Sequence, residues 1–160
     1  MKTISINRKS LFSLIAGIAL SVFFISCTKD NNNGNSQMYN TSGNASGAQE
    51  NPQVATAGTG TLSGTYNATT NNWQYTVNWS TLSSTASAVE IHGPASAGVN
   101  ASLLLALTIV VPGVSGSASG NVTLTDQQEA WLLAGQLYYT VLTATNITGE
   151  IRGQISASLQ

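Results

Sequence analysis

The sequence predicts an all-β domain, an antiparallel β-sandwich that carries one short helix. Three observations predict this class. Apolar and polar residues alternate along several short stretches, turn-forming residues separate these stretches, and one stretch alone has a convincing set of helix-capping residues. Several short strands with so little helix are typical of packed layers of sheet.

The clearest strand runs from Trp73 to Trp79, where aromatic and aliphatic residues alternate with polar ones. A period of two directs one face of a strand to the core and the other to water. Asn71 and Asn72 form a turn signal, so residues 62–66 are expected to pair as the preceding strand of a hairpin. The alternation places both tryptophans in the core, and the alternative is an exposed platform on which sugars stack.

The middle of the chain predicts three further elements. Residues 89–92 alternate and predict a strand. Residues 102–111 are nearly all apolar and predict a strand that is buried on both faces and ends at Pro112. Residues 116–120 are small and rich in glycine and serine, which predicts a flexible loop, and a strand is expected over residues 121–124.

The single helix is predicted near residues 126–134. Thr125 suits the N-cap, and Gln128 stands three residues later, as in a capping box. Gly135 suits the position just after the helix. The residues expected to face the core are Ala130 and Leu133.

Residues 137–144 and 149–159 return to the strand pattern and complete a sandwich that is immunoglobulin-like in architecture. The folded domain is expected to span residues 44–160, a common size for a single domain. No cysteine lies in this range, so no disulfide is expected to join the strands.

Residues 1–26 are predicted to be a lipoprotein signal peptide, with basic residues followed by an apolar run over residues 11–25. This run is shorter than the about 20 apolar residues that a membrane-spanning helix needs. Phe24-Ile25-Ser26-Cys27 resembles a bacterial lipobox, which predicts that Cys27 is acylated and becomes the mature N-terminus. An ordinary signal peptide with a stray cysteine is the alternative.

Residues 27–43 are predicted to comprise the lipidated cysteine and an Asn-rich tether, because so polar a stretch buries too little apolar area to fold. Lys29-Asp30 resembles the surface-export signal of Bacteroidetes lipoproteins. The protein is therefore expected in the cell envelope, as an outer-membrane lipoprotein held at the membrane by its lipid anchor. The domain is then expected to face either the periplasm or the outside of the cell.

Charge excludes one class of partner. Without the predicted signal peptide the chain keeps two basic and six acidic residues, a net charge of about −4. Nucleic acid binding needs clustered Lys and Arg, so no nucleic acid partner is expected.

Three stretches of the sequence hold most of its few charged residues and its histidine. They are residues 90–95 (Glu-Ile-His-Gly-Pro-Ala), residues 124–138 and residues 149–155 (Gly-Glu-Ile-Arg-Gly-Gln-Ile). Their order and spacing resemble the CHRD domain, the repeat first named in chordin. The resemblance covers about residues 48–155, and implies a β-sandwich with an extracellular binding role. Family members often have histidines where this chain has Glu90 and Leu142, which argues against carrying over a histidine cluster.

The charged residues of these stretches are the candidate site. Strand alternation puts Glu90 with His92 on one face, and Glu150 with Arg152 on one face. The guanidinium fork of Arg152 suits a carboxylate partner, either Glu150 or Glu90. We expect these four residues to form a structural polar network, and the alternative is that Arg152 grips an anionic group of a partner.

His92 and Glu90 are also the candidate metal ligands. A stable metal site normally needs three or four ligands, so two residues do not assign one. Catalysis has little support, since no second histidine is present to activate a serine and no Gly-x-Ser-x-Gly motif occurs.

The sequence therefore predicts a non-enzymatic binding module without a cofactor, for an unknown protein or a matrix or polysaccharide partner. The alternative is a copper- or zinc-binding or redox-related module centred on His92.

Overall fold

The computed structural model describes residues 37–160. The predicted signal peptide, Cys27 and most of the predicted tether lie outside these residues. Among the described residues, no helix is long and apolar enough to cross a membrane. Their strands are β1 (Met38–Ser46), β2 (Thr59–Asn67), β3 (Asn72–Ser80), β4 (Ala86–His92), β5 (Leu103–Leu107), β6 (Ile109–Val111), β7 (Gly116–Thr123), β8 (Tyr138–Thr143), β9 (Ile151–Gln154) and β10 (Ser156–Leu159), with a 3-10 turn at Gly47–Gln49 and helix α1 at Asp126–Leu133.

The predicted all-β antiparallel class with one short helix is confirmed, since every strand pair is antiparallel. The strands form one sheet in the order β5-β4-β8-β9-β1-β2-β3-β7-β6, and β10 pairs with β1. The two edge strands, β5 and β6, follow each other in the chain with only Thr108 between them. One short segment thus borders β4 on one side and β7 on the other, which curls the sheet into a nearly closed barrel. The two layers expected from an immunoglobulin-like sandwich are therefore opposite walls of a single sheet.

The apolar run over residues 102–111 is not buried on both faces, contrary to the prediction. Leu103 is 53% exposed, Val110 57% and Val111 52%. The run forms both edges of the barrel, where each half has a strand on one side only. Hydropathy alone does not distinguish a central strand from such a closing segment.

The first strand begins at Met38, ahead of the boundary predicted at residue 44. Residues 38–43, assigned above to the tether, pair along their whole length with β2. Residues 40–43 are polar or small and gave no apolar signal. The strand is held instead by backbone hydrogen bonds to β2 on one side and to β10 on the other.

The predicted hairpin is confirmed as β2 and β3, and Asn71 adopts the left-handed conformation (φ 55°) of the turn between them. Both tryptophans lie in the core, as predicted. Trp73 Nε1 donates to Thr41 Oγ1 at 3.0 Å, and Trp79 Nε1 donates to the Gly113 carbonyl at 3.0 Å. Each indole thus buries its rings while its N–H keeps a partner, as buried tryptophans require.

Residues 116–120, predicted as a loop, belong to strand β7. Gly116 lies opposite Trp79 of β3, and Gly120 lies opposite Tyr75. A Cβ atom on Gly116 would come within 2.7 Å of Trp79 Cζ2. The small residues therefore make room for the large rings of the neighbouring strand, and composition alone had suggested a loop.

Helix α1 has the predicted capping box, in which Gln128 N–H donates to Thr125 Oγ1 and the Thr125 N–H donates to Gln128 Oε1. Gly135 follows the helix with φ +66°. The buried helix residue is Leu132, and Ala130 is exposed, so the predicted inner face was wrong in part. Ala130 stands roughly 200° around the helix from Leu132.

Candidate functional site

The candidate site lies on the outer face of three adjacent strands, β4, β8 and β9. In the strand register, Tyr138 of β8 lies between His92 of β4 and Gln154 of β9. Two residues further along β8, on the same face, Thr140 lies between Glu90 and Arg152. Residues 139 and 141, which alternate with them on β8, point into the core. The polar groups are thus collected on one face by register.

Tyr138 is the centre of this face. The His92 ring stacks on it, with centroids 5.2 Å apart and planes 11° apart. The guanidinium carbon of Arg152 lies 3.4 Å from the ring centroid, a cation–π contact. The hydroxyl of Tyr138 accepts a hydrogen bond from the Ala101 N–H at 3.0 Å. The ring and the hydroxyl group of Tyr138 therefore both make contacts within the protein.

The predicted neighbours Glu90 and His92 contact each other, with His92 Nε2 at 3.0 Å from Glu90 Oε2. His92 Nδ1 lies 3.0 Å from the Ala101 carbonyl oxygen and must donate to it, since a carbonyl only accepts. Both ring nitrogens thus have partners. The described residues contain no group of three His, Cys, Asp or Glu side chains that could hold a metal ion.

Arg152 does not pair with either carboxylate that the sequence suggested. Its Nη2 donates to the Val99 carbonyl at 2.8 Å and the Ser96 carbonyl at 3.5 Å, and its Nη1 donates to Asn100 Oδ1 at 3.2 Å. The side chain is 1% exposed. Burial lowers the pKa of this guanidinium, and the negative charge of the Glu50 carboxylate acts in the opposite direction.

Glu150 belongs to a separate cluster. Its carboxylate accepts hydrogen bonds from Thr56 Oγ1 (2.7 Å), Ser83 N–H (2.7 Å), Ser83 Oγ (2.6 Å) and Thr143 Oγ1 (2.8 Å). Burial acts to raise its pKa, but these hydrogen bonds outweigh burial and lower the pKa to about 2. Gly149 has φ +128° just before β9 begins, so the strand alternation that predicted a shared face with the arginine does not reach this residue.

Glu50 is a site residue that sequence reasoning missed. It follows the 3-10 turn after β1, is 8% exposed, and its Oε1 accepts a hydrogen bond from Thr140 Oγ1 at 2.6 Å. Burial raises the pKa of this carboxyl, while the Thr140 hydrogen bond and the charges of Arg152 and His92 oppose the shift. Its only sequence signal is that it is one of six acidic residues in a weakly charged chain.

Glu50 and Arg152 both line a cleft of about 370 Å³. Gln154 also lines the cleft, and its Nε2 donates to the Ala95 carbonyl (3.0 Å) and the Gly135 carbonyl (2.8 Å). Its Oε1 is buried without a hydrogen-bond partner. The remaining polar lining residues are Gln49, Asn51 and Gln53.

The segment beside this cleft, residues 95–101, is held by the outer face. Arg152 and Gln154 bind its carbonyl oxygens and the side chain of Asn100, while His92 and Tyr138 bind the backbone of its last residue. Asn100 Nδ2 also donates to the Asn51 carbonyl at 2.7 Å and thereby joins the two walls of the cleft. This arrangement can keep the wall of the polar cleft rigid.

A family model described as the CHRD domain matches residues 41–155 of the chain. The match begins inside β1 and ends just after β9, so it contains the outer-face residues and the cleft. No curated protein and no solved structure matches the chain.

Proposed function

Because the chain belongs to the CHRD domain family, we propose that it is an extracytoplasmic binding module that acts without catalysis. The observation that carries the proposal is the fixed segment over residues 95–101. Polar side chains from three neighbouring strands converge on its backbone and hold it against the cleft. Loops that a rigid scaffold positions are common carriers of binding sites.

Rigidity matters to binding because ordering a loop on association costs free energy. Immobilising a flexible side chain costs about 0.5–1.5 kcal/mol, and a recess that is already ordered avoids this cost. Arg152 and Tyr138 are suited to this supporting role, since both are buried and make their contacts within the protein.

The proposal includes attachment to the membrane through acylated Cys27, with the polar residues up to the start of β1 as the tether. Stable attachment needs more than one acyl chain, which lipoproteins supply on a single cysteine. Cys27→Ser is expected to move the protein out of the membrane fraction, and an unchanged distribution would argue against acylation. Protease treatment of intact cells then decides between the periplasmic and the outer side, since only a surface domain is cut.

The binding role is tested by capture of partners from envelope and culture-medium fractions with the full-length protein. Asn100→Ala removes the side chain that joins the two walls of the cleft, and is expected to weaken capture. Asn121→Ala, at an exposed position on β7, is the matched control and should capture as the wild type does. Equal capture by both variants would exclude the cleft walls as the binding surface.

A further inference from the structure

We infer that the cleft beside Glu50, Arg152 and Gln154 binds a neutral, hydroxyl-rich carbohydrate. The inference rests on the proposed binding function and gives it a ligand class. It starts from three groups of this cleft whose hydrogen-bonding or charge requirements the described residues leave incomplete.

The first group is the Gln154 side-chain oxygen. It is buried and lacks a donor, whereas the amide nitrogen of the same side chain has two good acceptors. Those two acceptors fix the orientation of the amide, so rotating it would leave the nitrogen without them. A buried acceptor without a partner costs about 1–3 kcal/mol, and a ligand that donates to it removes that cost.

The other two groups are the charges. Among the described residues, Glu50 receives a side-chain hydrogen bond at Oε1 only, and its second oxygen is left for a further donor. The Arg152 guanidinium has carbonyl, amide and aromatic contacts but no carboxylate within ion-pair distance in the described part of the chain.

These groups define the chemistry of the ligand. One guanidinium and one carboxylate line the same cleft, so their charges offset each other and the site favours a neutral molecule. Gln154 and Glu50 each have an oxygen that lacks a donor, and adjacent sugar hydroxyls can donate to both. The Arg152 guanidinium is buried and already bonded within the protein, so it contributes its charge and no hydrogen bond to the ligand.

The rim and the size of the cleft agree with a sugar. Gln49, Asn51 and Gln53 add amide groups that donate and accept at the rim. The volume of about 370 Å³ lies at the lower end of the about 300–1,000 Å³ typical of ligand pockets, which suits a short piece of an oligosaccharide. Tyr138 offers no free face for stacking, because His92 and Arg152 contact its ring. Recognition therefore rests on hydrogen bonds.

A second groove provides the internal control. It is about 620 Å³ in volume and crosses the outer side of β2, β3 and β7, where Gln74 and Ser119 are among its lining residues. It has no charged lining residue and no buried acceptor without a partner. Gln74→Ala thus removes an exposed glutamine from a groove to which the inference assigns no ligand.

The test is titration of the full-length protein against a panel of neutral gluco-, xylo-, manno- and galacto-oligosaccharides, with heparin as an anionic probe. At least one neutral oligosaccharide should bind, and more tightly than heparin. Glu50→Gln and Gln53→Ala should each weaken that binding by about tenfold. Gln74→Ala should leave it unchanged.

Glu50→Gln is the informative variant because glutamine keeps an oxygen for the Thr140 hydroxyl. Its thermal unfolding midpoint, measured alongside, separates loss of ligand from loss of fold. Failure of every neutral oligosaccharide to bind would overturn the inference, and so would binding that is lost in Gln74→Ala but kept in Glu50→Gln and Gln53→Ala. Capture of a protein partner that depends on Asn100, without any oligosaccharide binding, would overturn the carbohydrate inference and leave the proposed binding function standing.

Discussion

The guanidinium carbon of Arg152 lies 3.4 Å above the Tyr138 ring, and the same guanidinium holds the backbone of residues 96–99. A buried cation is normally expected to meet a carboxylate. Around Arg152, backbone carbonyl groups and the face of the Tyr138 ring stand where a carboxylate would be expected. The contact therefore joins the sheet to the segment that forms one wall of the cleft.

Arg152→Lys is expected to destabilise the protein by about 2–4 kcal/mol, because an ammonium lacks the planar fork that serves several acceptors and stacks on the ring. Urea unfolding measures the change. Tyr138→Phe keeps the ring and loses only the hydroxyl contact with Ala101, so it should cost about 1 kcal/mol. A lysine variant as stable as the wild type would show that the fork and the stacking contribute little.

The Glu150 cluster predicts a pH-dependent stability. Its carboxyl has a folded-state pKa of about 2, below the ordinary value of 4.5. The stabilisation is therefore fully present above about pH 4.5 and is lost as the pH falls toward 2. Glu150→Gln should lower the free energy of unfolding by roughly 2–4 kcal/mol at pH 7 and by much less near pH 2.

Denaturant unfolding of both proteins across this pH range measures that difference. Ser83→Ala provides a graded comparison, since it removes one hydroxyl donor and keeps the backbone donor to the same carboxylate. A difference between wild type and Glu150→Gln that stays constant from pH 7 to pH 2 would contradict the assignment.

Gly116→Ala tests the packing of β7 against β3. An added methyl group would meet the Trp79 ring and the Val111 carbonyl, so a loss of about 1–3 kcal/mol is expected. Ser117→Ala, on the next residue of the same strand, should change stability much less. Equal effects of the two substitutions would mean that the strand shifts to admit a side chain at Gly116.

Thr125→Ala removes the N-cap of α1 and is expected to cost about 1 kcal/mol. Gln127→Ala is the matched control, because Gln127 is exposed in the first turn and takes no part in the capping box. Thermal unfolding of both variants measures the difference. A Thr125→Ala protein as stable as the control would exclude the capping box as a source of stability.

The features predicted correctly from sequence depend on neighbours along the chain. The β2–β3 hairpin, the strand at residues 89–92, the capping box at Thr125 and the glycine after α1 all follow from residues at most a few positions apart. The contact between Glu90 and His92 belongs with them, since two residues of one strand face share a side of the sheet.

The features predicted poorly depend on distant segments. The apolar run at residues 102–111 closes the barrel at its edges, and residues 116–120 become a strand because Trp79 and Tyr75 need small partners. Glu50 enters the site from the turn after β1, and its hydrogen-bond partner is 90 residues away in the sequence.

The sequence by itself determined the all-β class, the family and the residues that carry charge. The fold class and the family follow from short local motifs, and the charged residues can be read directly because the chain has few of them. Tertiary structure alone decided what those charges contact. Strand register and loop closure bring Arg152 to backbone carbonyls, which every residue possesses and no sequence pattern marks. The same closure isolates Glu150 among hydroxyl groups and leaves Glu50, Arg152 and Gln154 together around an open polar cleft.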